Sequence, residues 1–175
     1  MSFTKVAPAG IGTSPGNSIL IGDSLLHSTG IDIGSNTGVL LNAFKKNNLN
    51  IMGVDPAQNI CKVAKRKGIP TINSFFNRSS VQKILNRYGK AKVVTGTNVF
   101  AHVDDLNLFV KNVKLLIDKK KGIFVIEAPH FLHLIKNLEY DTIYHEHLSY
   151  ISVKPLISFF KKFKLEIIDV QQRDI

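Results

Sequence analysis

From Gly30 onward, short apolar runs alternate with stretches of helical spacing, and this alternation limits the available folds more than any other feature of the chain. "GIDIG" reads as a strand closed by glycine, and "GVLLNAFKKNN" sets Val39, Leu40, Ala43 and Phe44 at helical intervals. "LNIMGVD" is a second strand, and "PAQNICKVAKRKG" a helix opened by Pro56 and closed by Gly68. "IPTIN" and "AKVVTGTNV" are the third and fourth strands, with the helix "SSVQKILNRYG" between them. "DDLNLFVKNVKLLIDKKKG" starts with N-capping aspartates and carries Leu106, Phe109, Val110, Val113 and Leu116 on one face. "GIFVIEAP" is a fifth strand, apolar enough for the centre of a sheet. After the irregular stretch 129–152, "KPLISFFKKFK" and "LEIIDVQQ" supply a last helix and a last strand. The pattern predicts an α/β fold in which helices cover both faces of a mostly parallel sheet. In such sheets ligands bind beyond the carboxyl ends of the strands, so the loops there are the place to look for chemistry.

Residues 1–28 are rich in Gly, Ser and Pro without sustained periodicity, and the expectation is a poorly ordered leader before a folded domain over 29–175. No apolar run approaches the roughly 20 residues that span a membrane, and the start of the chain lacks the pattern of a signal peptide. A cytoplasmic protein is the expectation. Cys61 is the one cysteine, which excludes a disulfide within the chain and a cysteine-based zinc site, and its helical context makes it a core residue. The net charge of +10 favours anionic partners. The lysines, however, cluster at helix ends, where they complement the helix dipole, and no aromatic–basic platform for nucleic acid accompanies them.

Three loops carry candidate site residues. In "DIGSNTG", Gly34 and Gly38 surround Ser35, Asn36 and Thr37 where a strand meets a helix N-terminus, a place where backbone closely approaches a ligand. Asn36 stands where the dinucleotide fingerprint needs its second glycine, so a pyrophosphate cradle is disfavoured and a nucleoside ligand remains open. Asp55, ending the second strand, suits either the hydroxyls of a ribose or the cap of the next helix. After the fourth strand, Asn98 and His102 lie at the open edge of the sheet, with His102 either a base near the ligand or bonded to backbone.

The third loop is "YHEHLSY", Tyr144 to Tyr150. Its histidines are two residues apart, not the four of a catalytic zinc helix, which disfavours metal. His147 beside Tyr144 and Glu146 suits proton abstraction, since imidazole titrates near neutrality. A polar loop with satisfied histidines is the competing reading, and His130 and His133 line the same region.

Taken together, "IDIGSNTGVLLNAF", "IMGVDPAQNICKVAKRKGIPTINSFF", "TGTNVFAHVDDLNLFV", "GIFVIEAPHFLHLI" and "YDTIYHEHLSYIS" resemble the S-adenosylmethionine-dependent sugar C-methyltransferases of deoxysugar and surface-polysaccharide pathways. The resemblance implies a Rossmann-like class I methyltransferase domain, three-layer αβα with a mostly parallel sheet, that lacks the last strand. It assigns Gly34, Ser35, Asn36 and Gly38 to the methionine part of S-adenosylmethionine, Asp55 to the ribose, and Pro56, Asn73 and Phe75 to the surroundings of the adenine. Asn98 and His102 would border the methyl-transfer centre. His147 would be the general base, with Tyr144 and Glu146 shaping the site, and no metal would take part. The implied substrate is a nucleoside-diphosphate 4-keto-deoxysugar methylated at C3 through an enolate. Members of that group carry further segments on both sides of this core, so an inactive or truncated cofactor-binding module completed by a second chain is the alternative. Thr37 and Ser74 depart from acidic residues usual at those positions.

Overall fold

The computed structural model describes residues 2–9 and 28–172. Seven strands form one sheet: β1 (Ser2–Pro8), β2 (Thr29–Ile33), β3 (Asn50–Asp55), β4 (Thr71–Asn73), β5 (Val93–Thr97), β6 (Ile123–Ala128) and β7 (Leu165–Gln172). Their order across the sheet is β4-β3-β2-β5-β6-β1-β7. The five strands β2 to β6 run parallel, and β1 is antiparallel to both its neighbours. The helices are α1 (Val39–Lys46), α2 (Gln58–Arg66), α3 (Arg78–Tyr88), α4 (Leu106–Leu116), α5 (Phe131–Asn137) and α6 (Val153–Lys161).

Two apolar cores explain the layering. Leu41 of α1 and Ala64 of α2 pack with Ile51 and Ile69 on one side of the sheet. Val81 and Ile84 of α3, Phe109 to Leu116 of α4, and Leu156 and Phe160 of α6 pack with Met52, Ile31, Val94 and Phe124 on the other. Ile51 and Met52 are adjacent on β3 yet belong to opposite cores, as the two-residue period of a strand requires. Local signals hold these elements in place. Asp105 caps α4, its Oδ1 accepting from Leu108 N at 2.9 Å. Asn77 and Ser80 form a reciprocal capping box on α3.

Two expectations are corrected here. The first concerns the start of the poorly ordered leader expected over residues 1–28: its Ser2–Pro8 is an inner strand of the sheet, with Thr4, Val6 and Ala7 buried. Residues 10–27 lie outside the described residues. The second is the missing strand: the sheet has a strand between β6 and β7, supplied from the opposite end of the chain. The Gly- and Pro-rich residues that follow masked a seven-residue strand whose partners lie more than a hundred positions away. The period-two pattern is too short there to register by itself.

Candidate active site

The glycine loop leaves β2 and enters α1. Gly34 and Gly38 both adopt left-handed backbone, at φ +67° and +81°, and a Cβ at either would strike Val99 or Ile69 at 2.4 and 2.7 Å. Both positions therefore demand glycine twice over, by torsion and by space. Gly34 N and Ser35 N donate to Val54 O, which ties the loop to the end of β3. Ser35 sits against Gly53, where a Cβ would lie 2.3 Å from Ser35 Oγ. That hydroxyl is buried and finds no hydrogen-bond partner among the described residues. An orphaned buried donor in a glycine cradle is the mark of a site shaped for a polar ligand.

Asp55 performs two structural tasks at once. Its Oδ2 accepts from Asn36 N at 3.0 Å, pulling the glycine loop toward β3, and its Oδ1 accepts from Ala57 N at 2.9 Å at the start of α2. A carboxylate offers about four acceptor positions, so two remain for a vicinal diol. Asn73 Nδ2 donates to Asp55 O and Pro56 O at 3.2 and 2.8 Å, bracing this turn. Phe75 stands beside it with 73% of its surface exposed, whereas the following Phe76 is edge-on to Phe109 in the core. Pro56 is exposed, and α2 opens two residues after it, at Gln58.

One residue of this site escaped the sequence reading. Asp32, 2% exposed within β2, accepts from Thr95 Oγ1 at 2.6 Å. Burial, with a contribution from the nearby Asp55 carboxylate against the opposing Thr95 hydrogen bond, pushes its pKa up to about 6. The available signal was an acid in the middle of the apolar run "GIDIG", a position where nothing but function or a dedicated partner tolerates a carboxylate.

The second half of the site is built where β5 ends. Asn98 takes left-handed backbone at φ 55° and donates its N–H to Glu127 O, and a 3-10 turn over Phe100–His102 follows. The "YHEHLSY" segment docks on this turn. Leu148 N and Ser149 N both donate to Ala101 O, and His102 Nδ1 donates to Glu146 O at 2.7 Å. His147 Nδ1 likewise donates to Thr142 O at 2.7 Å. A carbonyl only accepts, so in each neutral imidazole the proton resides on Nδ1 and the lone pair on Nε2. The two rings stand 4.8 Å apart between centroids, and the Tyr144 ring lies 4.4 Å from His147. His147, Thr142, Ala101, His130 and Tyr150 line a small cleft. Burial and the neighbouring His133 hold His130 below the ordinary imidazole value. The Glu146 and Tyr144 side chains are exposed on the rim.

The two halves meet at Val99, whose methyl fills the space that a side chain at Gly34 would need. The glycine cradle, the β5 turn and the histidine segment are thus one continuous surface at the carboxyl ends of β2, β3 and β5. The fold and this surface define an α/β domain with a glycine cradle and a pair of histidines at the carboxyl edge of its parallel strands.

Comparison with known proteins narrows that class. The profile of the methyltransferase domain matches residues 19–170, and the chain belongs to that family. It is 37% identical over 145 residues to the C-methyltransferase NovU of Streptomyces niveus, an alignment covering 83% of this chain and 34% of that protein. The chain therefore spans about a third of that relative's length. Among solved structures, a SAM-dependent methyltransferase from Archaeoglobus fulgidus superposes with a TM-score of 0.61 at 20% identity, over 79% of this chain and 60% of that one. One from Thermotoga maritima gives 0.57 at 16% identity, over 82% and 66%. The fold is that of the S-adenosylmethionine-dependent methyltransferases, and the cradle described above fits that cofactor.

Proposed function

We propose that this chain is the core of an S-adenosylmethionine-dependent C-methyltransferase acting on C3 of a nucleoside-diphosphate 4-keto-deoxysugar. The observation that carries the reading is the histidine segment hydrogen-bonded onto the β5 turn, with His147 Nδ1 held by Thr142 O and the lone pair left on Nε2. Similarity to NovU supports carbon as the atom methylated.

In this reading Gly34, Ser35, Asn36 and Gly38 hold the methionine portion, Ser35 Oγ finding in it the missing partner. Asp55 takes the ribose diol, and Pro56, Asn73 and Phe75 flank the adenine. Bound there, S-adenosylmethionine supplies an electrophilic methyl on a cationic sulfonium. The C3–H of the sugar is acidic because it lies α to the ketone. His147 Nε2 removes that proton, and the electron pair of the broken bond makes C3 the nucleophile. His102, its ring fixed by Glu146 O, and Asn98 line the approach. Tyr144 and Glu146 stand where polar groups of the substrate would be held. Alignment and a positioned base are what such a transfer asks of the protein.

The test has two stages. Calorimetry should show binding of S-adenosylmethionine or its demethylated product, weakened on the order of 100-fold in Asp55→Ala by loss of charge-assisted hydrogen bonds. Methyl transfer to a 4-keto-sugar nucleotide should then vanish in His147→Gln while cofactor binding persists. Transfer that survives the substitution removes His147 as the base.

A second reading is a cofactor-binding module that needs a partner chain for activity. The apolar surface of Leu132, Ile135, Leu138, Tyr140 and Ile143, exposed beside the site, favours it. Deoxysugar and polysaccharide biosynthesis in the cytoplasm is the setting we assign, with a nucleotide-sugar and not a nucleic acid as partner. No helix among the described residues is long and apolar enough to cross a membrane.

A further inference from the structure

We propose that the edge of the sheet opposite the histidines is a docking face for an anionic lipid surface, on which the chain sits with its cleft turned outward. β6 and β7 are both antiparallel to β1, so β2 to β7 all start at one edge. α1, α2, α3, α4 and α6 each lead into the next of these strands and end at that same edge. The five helix ends and the turns after them, 45–49, 65–70, 87–92, 114–122 and 161–164, hold fifteen Lys and Arg, with Asp118 the one acid among them. At the carboxyl edge the balance reverses: Asp104, Asp105, Glu139, Asp141 and Glu146 outnumber Arg78, Lys136 and Lys154. The excess positive charge of the chain is therefore gathered on the side away from the cleft.

Helix dipoles account for little of it. A helix C-terminus carries about half a negative charge, so five ends and Asp118 together balance about 3.5 of the fifteen positive charges. The remainder is held out to solvent. Asp118 Oδ1 accepts from Lys120 N and Lys121 N at 2.8 Å each, and Gly122 N donates to Asp118 O at 3.1 Å. This fixed turn presents Lys119, Lys120 and Lys121, all exposed, and none of the three forms an ion pair among the described residues. Lys90 Nζ donates to Leu115 O and Lys45 Nζ to Gly68 O, carbonyls that leave the charge in place.

The make-up of the face selects its partner. Thirteen of the fifteen cations are Lys, and none of the exposed large apolar side chains among the described residues lies in these stretches. Protein interfaces favour Arg and aromatic residues and are poor in Lys. Single-stranded nucleic acid needs rings to stack on. Compact ammonium groups without an apolar anchor suit lipid headgroups, where each cation near the surface adds its attraction without a fixed geometry. Seven strands side by side make the edge about 29 Å wide, a span over which an anionic leaflet presents charge continuously. Docked in this way, the glycine loop and His147, at the far ends of the strands, stay open to water.

The test is co-sedimentation of the full chain with large vesicles. Vesicles of phosphatidylcholine with about 30% phosphatidylserine should carry the protein down, and phosphatidylcholine alone should not. Salt at about 0.5 M should release it, because a surface contact is screened. Lys119→Gln, Lys120→Gln and Lys121→Gln combined should weaken binding on the order of 100-fold. The matched triple of Arg78→Gln, Lys136→Gln and Lys154→Gln removes the same charge from the carboxyl edge and should change binding less than about threefold. Thermal melting of both variants, expected to match wild type, keeps folding out of the comparison. Equal weakening by the two triples would reduce the effect to net charge and overturn the docking face. So would absence of vesicle binding at low salt, or tighter binding to a DNA duplex of mixed sequence than to the vesicles at equal salt.

Discussion

Replacing Asp32 with asparagine should stabilise the protein at neutral pH and do little in acid. Asp32 releases its proton near pH 6 in the folded state and near 3.8 in the unfolded chain. Between those values the folded form binds more protons, so stability falls as pH rises through that window and the loss is complete above it. A displacement of about two units corresponds to about 3 kcal/mol, at 1.36 kcal/mol per unit. Asparagine keeps an oxygen for the Thr95 hydroxyl, which approaches at 2.6 Å, and carries no charge to bury. Urea denaturation of both proteins from pH 4 to pH 7 measures the effect, because groups other than Asp32 and the Asp55 carboxylate coupled to it cancel in the difference. The gap in unfolding free energy, variant minus wild type, should widen by about 2.5 kcal/mol across the range, a Tm shift of several degrees at pH 7. Parallel profiles would refute the reasoning.

Three further perturbations check other parts of the structure. Gly38→Ala forces a side chain into left-handed backbone and 2.7 Å from the stiff, buried Ile69, and should cost about 2–4 kcal/mol in chemical denaturation. Asp105→Ala removes the cap on Leu108 N and should lower stability by about 1 kcal/mol, with cofactor binding unaffected. Asn73→Ala releases the brace on the Asp55–Pro56 turn. It should weaken cofactor binding by calorimetry while leaving the Tm within about 4 °C of wild type, since the brace is a surface feature.

Much of the site was legible because its signals are local. Gly34 and Gly38 bracket a turn whose torsions only glycine adopts freely, and Asp55 ends a strand at the ligand edge, so a few neighbouring residues suffice to place them. The choice between the two roles of Asp55 was not legible; the structure supplies the helix contact, through one carboxylate oxygen, and adds one the sequence did not show, from the glycine loop to the other. The histidine cluster was visible as a cluster. Which nitrogen is held, and by which carbonyl, depends on Thr142 and on a turn 44 residues upstream, at His102.

The order of strands and helices, the glycine cradle and the helix caps follow from residue patterns a few positions long, because torsional preference and amphipathic period act over that range. The tertiary structure decided what those elements pair with. Ser2–Pro8 became an inner strand only because β6 and β7 present complementary edges and a pocket for Val6. Asp32 became a titrating group only because the sheet closes over it. Hydrogen bonding between distant segments and loss of water from a carboxylate are properties of the assembled core, and no short stretch of sequence contains them.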